Sequence, residues 1–455
     1  MTINMPHGAR YIIEQLNNNG YEAFIVGGCV RDSMLGKNPN DWDITTSAKP
    51  AQVKQIFDRT VDTGIEHGTV TVLVPKDISQ GGEYAFEVTT YRIDGVYEDH
   101  RRPSEVTFSN NLEEDLKRRD FTINAMAYND DAGLVDIFGG KYDLDNHIIR
   151  CVGNPIERFD EDALRVLRAV RFAGQLGFEI DEATQNAMRE KAKFLKEISA
   201  ERIQVELTKL ITSKHPDLLV CAYELGITSY ILPEFDMMMN TEQNNINHLY
   251  NVGIHTIKVL ENLPANAILR YAGLLHDVAK PVCKTTDEAN IDHFYGHNVK
   301  GEELANVILR RLKLDNNTIN TVKKLVLYHD YGFGFSKVSE KNFRRFLAKL
   351  GVEYFDDFIA VKKADIAAQS TYNIEEKKSD IELMQAMYQK IIDEKQCLSI
   401  KDLALDGKML IEMGMKPGKQ MGETLKLLLE YVMDNPELNT EEELKKIVNN
   451  HFTFQ

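Results

Sequence analysis

The sequence predicts an α+β domain at the N-terminal end, followed by helices throughout the rest of the chain. Up to about residue 150, short β-rich runs such as 24–26 and 70–74 alternate with helical stretches such as 50–57. Beyond Pro155, strand-like runs nearly vanish and helical spacing dominates to the end, interrupted by glycines and prolines. We therefore expect four parts, namely an α+β head at 1–150, a helical neck at 151–240, a helical body at 241–370 and a helical tail at 371–455.

The length and charge of the chain limit the class of protein. A chain of 455 residues has room for about three domains, so it is more than a single small module. With 70 acidic and 54 basic residues the formal net charge is −16, so a nucleic acid would have to be held by local basic stretches. Hydrophobic residues make up 43% of the chain and charged residues 27%, which is typical of a globular protein and excludes a disordered or fibrous one.

Three features predict a cytoplasmic protein. The five cysteines are scattered and none lies in a Cys-x-x-Cys pair, which argues against a disulfide framework and a cysteine zinc site. Residues 1–24 lack a basic segment followed by an apolar core, so we expect no export signal. No run of about 18 apolar residues occurs, so we expect no membrane-spanning helix and no membrane partner.

The segment 26–32, Val-Gly-Gly-Cys-Val-Arg-Asp, lies where a predicted strand gives way to a helix. Glycines let the backbone approach a phosphate closely, the helix start presents N–H groups, and Arg31 adds a charged fork. The segment therefore predicts a triphosphate cradle that contains Gly28 and Arg31. An ordinary strand-to-helix turn is the alternative interpretation.

Asp41 and Asp43 form an Asp-x-Asp pattern on a predicted strand. Residues i and i+2 of a strand share a face and lie roughly 6.6 to 7 Å apart, so both carboxylates can converge on divalent ions. Two like charges on one face repel, and burying them is costly without a cation. We therefore predict that the pair holds two Mg²⁺ ions, which activate an attacking hydroxyl and stabilise a leaving pyrophosphate. The alternative is a solvated acidic pair in a loop.

Further polar residues extend this candidate site. Glu87 is an acid inside a β-forming run, and it is either a third metal-facing carboxylate or an outward residue on an edge strand. In the segment 115–125, Arg119 can reach a phosphate, while Asp120 and Asn124 offer groups for a ribose hydroxyl. The alternative for this segment is a charged, solvated helix start.

In their order and spacing, these motifs resemble those of the class II nucleotidyltransferases, the superfamily of CCA-adding tRNA nucleotidyltransferases and bacterial poly(A) polymerases. The matching segments all lie in the N-terminal half of the chain and are 27–32, 41–43, 91–103, 118–125, 136–144 and 161–172. The resemblance implies a polymerase-β-like head followed by an all-α neck, body and tail. It also implies that CTP and ATP are used to add C, C and A to the 3′ end of tRNA without a template, with release of pyrophosphate.

The neck motif offers one acid and three arginines at steps of three residues. They are Asp162, Arg165, Arg168 and Arg171. Neighbouring members lie on a slowly rotating face of one helix, which places a rigid acceptor beside rigid donors. The acid can accept from the amine of cytosine or adenine while an arginine donates to the ring, whereas uracil and guanine present a carbonyl there. We therefore predict that these residues bind the nucleotide in place of a template; an ion-pair ladder on a surface helix is the alternative.

The predicted body carries four histidines and two aspartates within helical segments. They are His255, His276, Asp277, His297, His329 and Asp365. Imidazole and carboxylate ligands suit a transition metal, and the pattern resembles the HD phosphohydrolase superfamily. That resemblance implies metal ligands at His255, His276, Asp277 and Asp365, with His297 and His329 at a second ion or a phosphate. It also implies a second, hydrolytic activity on phosphoesters; a degenerate body with a purely structural role is the alternative.

Two segments are candidates for contact with tRNA. Residues 300–350 carry eleven lysines and arginines against five acidic residues, a net charge of +6 in an acidic chain. Such a stretch either follows RNA phosphates or is a merely solvated face. In the tail, the segment 414–422 offers amides and lysines to another run of phosphates, or it simply joins two helices.

Other functions remain open at this point. A poly(A) polymerase shares the same motifs, although residues 401–455 carry seven basic against ten acidic residues and lack the basic character expected for a grip on arbitrary RNA. Enzymes that add only CC or only A are also related, and the segment 94–102 resembles that of enzymes able to add the final A. A protein of another class would be an HD phosphohydrolase whose head only binds RNA, and the intact Asp41 and Asp43 argue against it. No feature of the sequence indicates an oligomeric state.

Overall fold

The structure is a computed structural model that describes residues 2–79, 84–94, 106–332 and 338–451. The chain forms two compact units, Met1–Asp236 and Met237–Gln455. The first unit holds the predicted head and neck and the second the predicted body and tail, while the finer division into four parts stays a prediction. A β-sheet occurs in the N-terminal part and helices dominate the remainder, so the predicted fold class is confirmed. None of the helices in the described part of the chain combines the length and apolarity that crossing a bilayer requires.

The head is built around a mixed β-sheet. Its strands are β1 (Ala23–Val26), β2 (Ile44–Thr46), β3 (Thr60–Gly64), β4 (Thr69–Leu73), β5 (Ala85–Thr90), β6 (Arg92–Asp94), β7 (Val106–Phe108), β8 (Met126–Asn129) and β9 (Gly133–Asp136). Within the described residues, seven of them form one sheet in the order β3-β4-β5-β2-β1-β8-β9, and β6 pairs with β7. The pairs of the sheet are antiparallel except where β2 runs parallel to β5. The candidate metal ligands lie at this parallel pair, near the middle of the sheet.

Short helices connect the strands of the head. They are α1 (His7–Asn18), α2 (Gly28–Met34), α3 (Pro50–Ile56), α4 (Lys76–Ser79), α5 (Leu112–Lys117) and α6 (Gly140–Asp145). Helix α1 is amphipathic and buries Ile12, Ile13 and Leu16, as the spacing of its apolar residues predicts. Strand β1 is buried along its whole length. Its apolar run therefore packs on both faces of the sheet.

The neck is helical, with one short pair of parallel strands. Its elements are β10 (Ile148–Ile149), α7 (Pro155–Glu161), α8 (Leu164–Leu176), β11 (Glu179–Ile180), α9 (Glu182–Lys191), α10 (Ala200–Ile211), α11 (Leu218–Glu224), α12 (Thr228–Ile231) and α13 (Pro233–Met239). Helix α8 packs on α10 and buries Val166, Leu167 and Val170. Asp162 lies in the link between α7 and α8, whereas the sequence predicted it on the same helix as the arginines. The reason is that its side chain accepts from the Leu164 N–H and so caps α8 from outside.

The body packs helices around a buried core. Its elements are α14 (Val252–Asn262), α15 (Ala267–Leu275), α16 (Lys280–Cys283), β12 (Thr285–Thr286), β13 (Asp292–His293), α17 (His297–Arg311), α18 (Asn316–Tyr328), α19 (Glu340–Leu350) and α20 (Phe355–Ala368). Helices α14 and α15 pack against each other and against α20. His255 lies in α14, His276 directly follows α15, and Asp365 lies in α20. Helix packing therefore brings together predicted metal ligands that are far apart in the sequence.

The tail has a small hydrophobic core of its own. Its helices are α21 (Ile374–Asp393), α22 (Gly407–Glu412), α23 (Lys419–Asp434) and α24 (Glu441–His451). Leu405, Leu410, Leu428 and Leu444 are fully buried in this core. They come from a loop and from three of the helices, so their burial holds these elements of the tail together.

Ion pairs join helix α19 of the body to helix α23 of the tail. The buried Arg344 side chain donates from Nε to the Met433 carbonyl oxygen at 3.0 Å. Lys341 and Arg345 lie 2.6 and 2.9 Å from Asp434. Three of the basic residues that the sequence offered for RNA phosphates are therefore used inside this unit.

Gly140, at the start of α6, allows two backbone segments of the head to approach closely. A Cβ atom at this position would lie 2.3 Å from the Thr122 carbonyl oxygen and 2.8 Å from the Met126 side chain. Thr122 opens the turn that carries Asn124, one of the predicted ribose-binding residues. A side chain at Gly140 would therefore displace a segment of the candidate site.

We expect Gly140→Ala to lower the free energy of unfolding of the first unit by about 2 kcal/mol, because the added methyl group overlaps backbone that has little room to move. Urea unfolding measures the effect. The control is Gly422→Ala in helix α23, where a Cβ meets nothing within 4 Å and alanine favours the helix. If both variants matched the wild type, this account of Gly140 would be wrong.

Candidate active sites

Asp41 and Asp43 lie directly before strand β2, whereas the sequence predicted both on the strand. The strand begins at Ile44, but the Asp43 carbonyl oxygen still accepts a hydrogen bond from the end of β1 at 3.0 Å. The parallel register pairs Ile44 with Val88. One residue earlier on each strand, this register places Asp43 beside Glu87.

The charges around Asp43 indicate that two further carboxylates lie near it. Burial raises the pKa of Asp43, and the Arg119 guanidinium lowers it. The nearby carboxylates of Glu87 and Asp41 raise it again, so that the net pKa lies above its usual value. Repelling acids that offer only oxygen ligands form a donor set that suits Mg²⁺. The three acids therefore fit the predicted metal site.

The predicted triphosphate cradle lies between β1 and α2. Gly27 has a φ of 79°, and a Cβ atom there would lie 2.9 Å from Arg119 Nη1. Glycine therefore lets the Arg119 guanidinium lie against the backbone that leads into α2 at Gly28. Arg31 donates from Nη1 to Asn124 Oδ1 at 2.6 Å, which joins two of the predicted nucleotide-binding residues.

Asp115 is a fully buried carboxylate to which the sequence assigned no role. It accepts hydrogen bonds from Arg118 at 2.6 and 3.0 Å, and from Arg119 and Thr45 at 3.2 Å each. Burial raises the pKa of Asp115, but the two arginines outweigh burial and hold the pKa below its usual value. Thr45 lies in β2, two residues after Asp43. Asp115 therefore connects the arginine pair to strand β2, close to the predicted metal ligands Asp41 and Asp43.

A cavity of about 250 Å³ collects most of the predicted nucleotide-binding residues. Among the described residues its lining consists of Arg118, Arg119, Asp120, Asp162, Arg165, Arg168 and Arg202. The excess of arginine gives this lining a positive charge, which suits the triphosphate of a nucleotide. Arg118 and Arg202 were missed from the sequence. The adjacency of Arg118 to Arg119 was a usable signal, whereas Arg202 comes from α10 and carries no local signal.

Asp120 and Arg168 pair with each other in this cavity. Arg168 donates from Nη2 and Nε to Asp120 Oδ2 at 2.6 and 3.0 Å. The other oxygen of Asp120 accepts from Asn124 Nδ2 at 3.1 Å. Burial raises the pKa of Asp120, but Arg168 and Asn124 more than offset burial and hold the pKa well below its usual value. A predicted ribose ligand and a predicted base reader thus hold each other in place.

Asp162 and Arg165 present an acceptor and a donor to the same cavity. Asp162 Oδ1 accepts from the Leu164 N–H at 3.1 Å, and Oδ2 accepts from Arg202 Nη2 at 2.7 Å. Arg165 donates from Nη1 to Glu161 at 2.6 Å. Both side chains are therefore held at fixed positions, as a side-chain template requires.

Arg171, the fourth residue of the predicted base-selecting set, does not line this cavity. Its Nε donates to Glu206 at 2.7 Å, and its guanidinium lies over the Phe172 ring at 3.5 Å. Along an α-helix, six residues carry Arg171 about 120° around the axis from Arg165. Glu206 also lies 3.5 Å from Arg168. Arg171 and Arg168 are thus connected through a shared buried carboxylate.

In the second unit, the predicted metal ligands form a buried cluster. His255 Nε2 lies 3.0 Å from Asp365 Oδ1 and 3.4 Å from His276 Nε2. His276 Nε2 lies 3.1 Å from Asp277 Oδ2. His255, His276 and Asp277 therefore present their ligand atoms to a common point that can hold a metal ion.

His297 and His329 form a second group that shares Asp277. Their Nε2 atoms lie 3.2 Å apart and are 3.5 and 3.6 Å from Asp277 Oδ1. Both oxygens of Asp277 are buried, and no described residue donates to them in good hydrogen-bond geometry, although the Lys280 ammonium lies 2.7 Å from Oδ2. A buried carboxylate between two sets of imidazoles suits a ligand that bridges two cations.

The ring orientation of three histidines leaves Nε2 as the ligand atom. The Nδ1 atoms of His276, His297 and His329 each lie 2.7 Å from the carbonyl oxygen three residues earlier. Because a carbonyl only accepts, Nδ1 must donate, and in the neutral imidazole Nε2 is then unprotonated. Burial lowers the pKa of His276, but the Asp277 carboxylate outweighs burial and raises the pKa to about 9. The cluster therefore attracts positive charge.

A cavity of about 430 Å³ opens onto this cluster. Its lining also includes Asn245, His248, Lys280 and Gln369. Burial and the Lys280 ammonium lower the pKa of His248 to about 3, so this imidazole is neutral at physiological pH. The sequence assigned no role to His248 or Lys280, although Lys280 stands only four residues after His276. The cavity offers both space and hydrogen-bonding groups to a phosphoester.

Three family models and several known proteins match this chain. Residues 23–150 match the family model "Poly A polymerase head domain", residues 177–239 match "Probable RNA and SrmB-binding site of polymerase A", and residues 286–448 match "tRNA nucleotidyltransferase domain 2 putative". The CCA-adding enzyme of Lactobacillus helveticus is 34% identical over 438 residues, which cover 96% of this chain and 94% of that protein. The chain belongs to the family of CCA-adding enzymes.

Other CCA-adding enzymes show how this similarity is distributed. The CCA-adding enzyme of Limosilactobacillus reuteri (strain DSM 20016) is 52% identical over 208 residues. The matched part covers 46% of this chain and 50% of that relative, so this chain spans about half the length of that relative. The crystal structure of the Bacillus stearothermophilus CCA-adding enzyme in complex with CTP superimposes on this chain with a TM-score of 0.71 and a sequence identity of 28%. The match covers 98% of this chain and 99% of that chain. The Thermotoga maritima CCA-adding enzyme complexed with tRNA is 21% identical with a TM-score of 0.58, over 97% of this chain and 94% of that chain, and shares the fold. The resemblance seen in the motifs is therefore confirmed.

We expect Asp115→Asn to lower the free energy of unfolding of the first unit by about 3 kcal/mol at pH 7, because the variant leaves two arginines without their buried counter-charge. The pKa of Asp115 is lowered by folding, so its stabilising effect is present above the ordinary carboxyl pKa of 3.8. The effect is lost as the pH falls through the lower, folded-state pKa. Urea unfolding at pH 7 and at successively lower pH measures the difference in the free energy of unfolding between variant and wild type. We expect this difference to become smaller only below the ordinary carboxyl pKa.

The control for Asp115→Asn is Asp62→Asn in the same unit. Asp62 pairs with Lys54 at 3.0 Å, and both side chains are at least 41% exposed. An exposed pair contributes less than about 1 kcal/mol. A variant at Asp115 that is no less stable than the variant at Asp62 would show that Asp115 is not the anchor described above.

Proposed function

We propose that this chain adds C, C and A to the 3′ end of tRNA from CTP and ATP, with release of pyrophosphate. The observation that carries the proposal is the 250 Å³ cavity in which Asp162 and Arg165 stand beside the phosphate-binding arginines. The relatives support it, since their structures were determined with CTP, ATP or tRNA. Their names also favour full CCA addition over poly(A) synthesis or addition of only CC or only A. Residues 95–105, which include most of the segment that resembles enzymes adding the final A, lie outside the described residues.

The transfer step depends on the converging acids. Asp41 and Asp43 would hold two Mg²⁺ ions, with Glu87 as the third carboxylate beside them. Bound Mg²⁺ lowers the pKa of the attacking 3′ hydroxyl and neutralises charge on the leaving pyrophosphate. Arg119, which is held by Asp115, offers its guanidinium to the triphosphate. These residues together place the RNA end and the nucleotide in one orientation for the reaction.

Base selection follows from the fixed acceptor and donor in the neck. The Asp162 carboxylate accepts from the amine of cytosine or adenine, and Arg165 donates to an acceptor of the ring. Uracil and guanine present a carbonyl where the amine is required, so two acceptors would face each other. A good bidentate pair contributes roughly 1 to 3 kcal/mol of discrimination. Asp120 and Asn124 are proposed to bind the ribose.

Contact with tRNA requires local basic surface in this acidic chain. Part of the stretch 300–350 is engaged with the tail through α19, and Lys337 lies outside the described residues. In the segment 414–422, the Lys419 side chain is 92% exposed. We therefore propose that this tail segment binds tRNA phosphates. The basic stretch of the body should contribute less to phosphate binding than its composition indicates.

We propose a second activity for the body, the hydrolysis of phosphoesters at a divalent-metal site. The observation that favours it is the placement of Asp277 between two groups of histidines. These nitrogen and oxygen ligands suit a transition metal, which when bound polarises a phosphoryl oxygen and lowers the pKa of water. Lys280 and His248, both in the lining of the 430 Å³ cavity, would orient the phosphate. The proposed ligands are His255, His276, Asp277 and Asp365, with His297 and His329 at a second ion.

The first activity is tested with tRNA that lacks its 3′ end, incubated with CTP, ATP or both, and with the products separated at nucleotide resolution. We expect two C residues with CTP alone and CCA with both nucleotides. Asp41→Ala and Asp43→Ala should each reduce incorporation by roughly a thousandfold, because several kcal/mol of metal stabilisation is lost in the transition state. Isothermal titration calorimetry of the wild type and both variants with CTP measures nucleotide binding independently of transfer.

The control for the acid variants is Asp58→Ala, an exposed residue of the same head, which should retain wild-type activity. Near-normal incorporation by Asp41→Ala or Asp43→Ala would contradict the assignment of the metal-facing acids. Long runs of A, only CC or only A would instead assign one of the related activities.

The second activity is tested by measuring bound metal and hydrolysis of 2′,3′-cyclic nucleotides and simple phosphoesters after incubation with Mn²⁺, Co²⁺, Ni²⁺ or Zn²⁺. We expect Asp277→Asn to abolish hydrolysis and to reduce metal content, because one carboxylate serves both groups. His297→Ala should remove only part of the bound metal. CCA addition by the same variants reports whether the rest of the chain is intact. Metal-supplemented wild type that binds no cation and hydrolyses neither substrate would show that the body has a structural role.

A further inference from the structure

Each predicted base reader in the neck cavity already has a partner. Arg168 pairs with Asp120, Arg165 with Glu161, and Asp162 with Arg202. The first two partners belong to motifs that the sequence singled out. Arg202 does not, since it comes from helix α10, beyond the neck motif at 161–172. This residue reaches the cavity from a third part of the unit.

Arg202 binds one of the two carboxylate oxygens that Asp162 offers to a base. Asp162 Oδ1 is used by the Leu164 N–H at 3.1 Å, where it caps α8. Asp162 Oδ2 accepts from Arg202 Nη2 at 2.7 Å. A carboxylate oxygen has two lone pairs, so Oδ2 can accept from Arg202 and from a base amine at the same time. The guanidinium therefore fixes the position of the atom that has to meet the amine.

The position of Asp162 Oδ2 determines which base edge it can meet. A carboxylate oxygen accepts hydrogen bonds. Held by Arg202, this oxygen is placed to accept from the amine of cytosine or adenine, whereas uracil and guanine present a carbonyl, a second acceptor, at that point.

A second nitrogen of Arg202 is available to a ligand. Its Nη1 atom is buried and has no hydrogen-bond partner among the described residues. Arg202 lines the same cavity as Arg165 and Arg168. A buried guanidinium N–H without an acceptor is unfavourable, and an acceptor brought in by a ligand removes that cost.

We propose that Arg202 is a specificity-determining residue, which holds Asp162 in position for the base amine and donates from Nη1 to the incoming nucleotide. This inference rests on the function proposed above, the addition of C and A. It assigns base selection to three elements, the link before α8, helix α8 and helix α10, rather than to the neck motif alone.

The test compares Arg202→Ala, Arg202→Lys and the control Lys209→Ala, an exposed residue of the same helix. The ratio of kcat/KM for CTP to that for UTP is measured on tRNA lacking its 3′ end. We expect this ratio to fall about tenfold in Arg202→Ala, the size of one lost base-discriminating contact. Arg202→Lys should recover part of the ratio because it keeps the charge. KM for tRNA should be unchanged, and Lys209→Ala should match the wild type.

A merely structural role for Arg202 predicts a different result. In that case all four nucleotides lose activity equally and the CTP-to-UTP ratio stays at its wild-type value, which would overturn the inference. Isothermal titration calorimetry with CTP and UTP gives the ratio of Kd values without any transfer. Wild type that fails to extend tRNA contradicts the proposed function, and the ratio of Kd values in wild type and Arg202→Ala still decides the role of Arg202. Equal ratios in the two proteins would refute it.

Discussion

The close placement of like charges is the constraint on which the candidate site of the first unit depends. Asp41 and Glu87 raise the pKa of the nearby Asp43, and the arginines of the adjacent cavity would repel one another without carboxylates between them. The buried Asp115 supplies one such counter-charge, and its contact with Thr45 ties that charge to strand β2. The fold therefore holds the arginines of the cavity against carboxylates, which keeps their guanidinium groups in place.

The two candidate sites offer different ligand atoms. The acids of the head offer only oxygen atoms at strand ends, which suits ions that are shared with a triphosphate. The body offers imidazoles whose Nδ1 atoms are tied to backbone carbonyls, so that the ligand atoms are oriented before any ion arrives. His276 and His329 directly follow helices α15 and α18. The last carbonyl oxygens of a helix have no partner within the helix, so they are free to accept from these Nδ1 atoms.

The residues proposed for transfer and nucleotide binding carry a signal in the sequence, whereas Asp115 and Arg202, which contact some of them, carry none. Asp41 and Asp43 were recognisable because their spacing suits one kind of ligand, even though the strand begins only after them. Periodicity grouped Arg171 with the base readers, but helix rotation turns it away from their cavity. Asp115 and Arg202 gave no local signal, because both act through contacts between segments that are distant in the sequence. The fold class could be predicted because the spacing of apolar residues changes from strand-like to helical along the chain. This pattern is local and does not depend on contacts between distant segments.

The contacts between α19 and α23 differ in how strongly added salt screens them. Lys341 and Asp434 are each 40% exposed, so added salt screens their attraction strongly. The Arg344 bond to the Met433 carbonyl is buried and is screened far less. Rising salt therefore weakens the exposed pairs first, while the buried Arg344 bond continues to join the two helices.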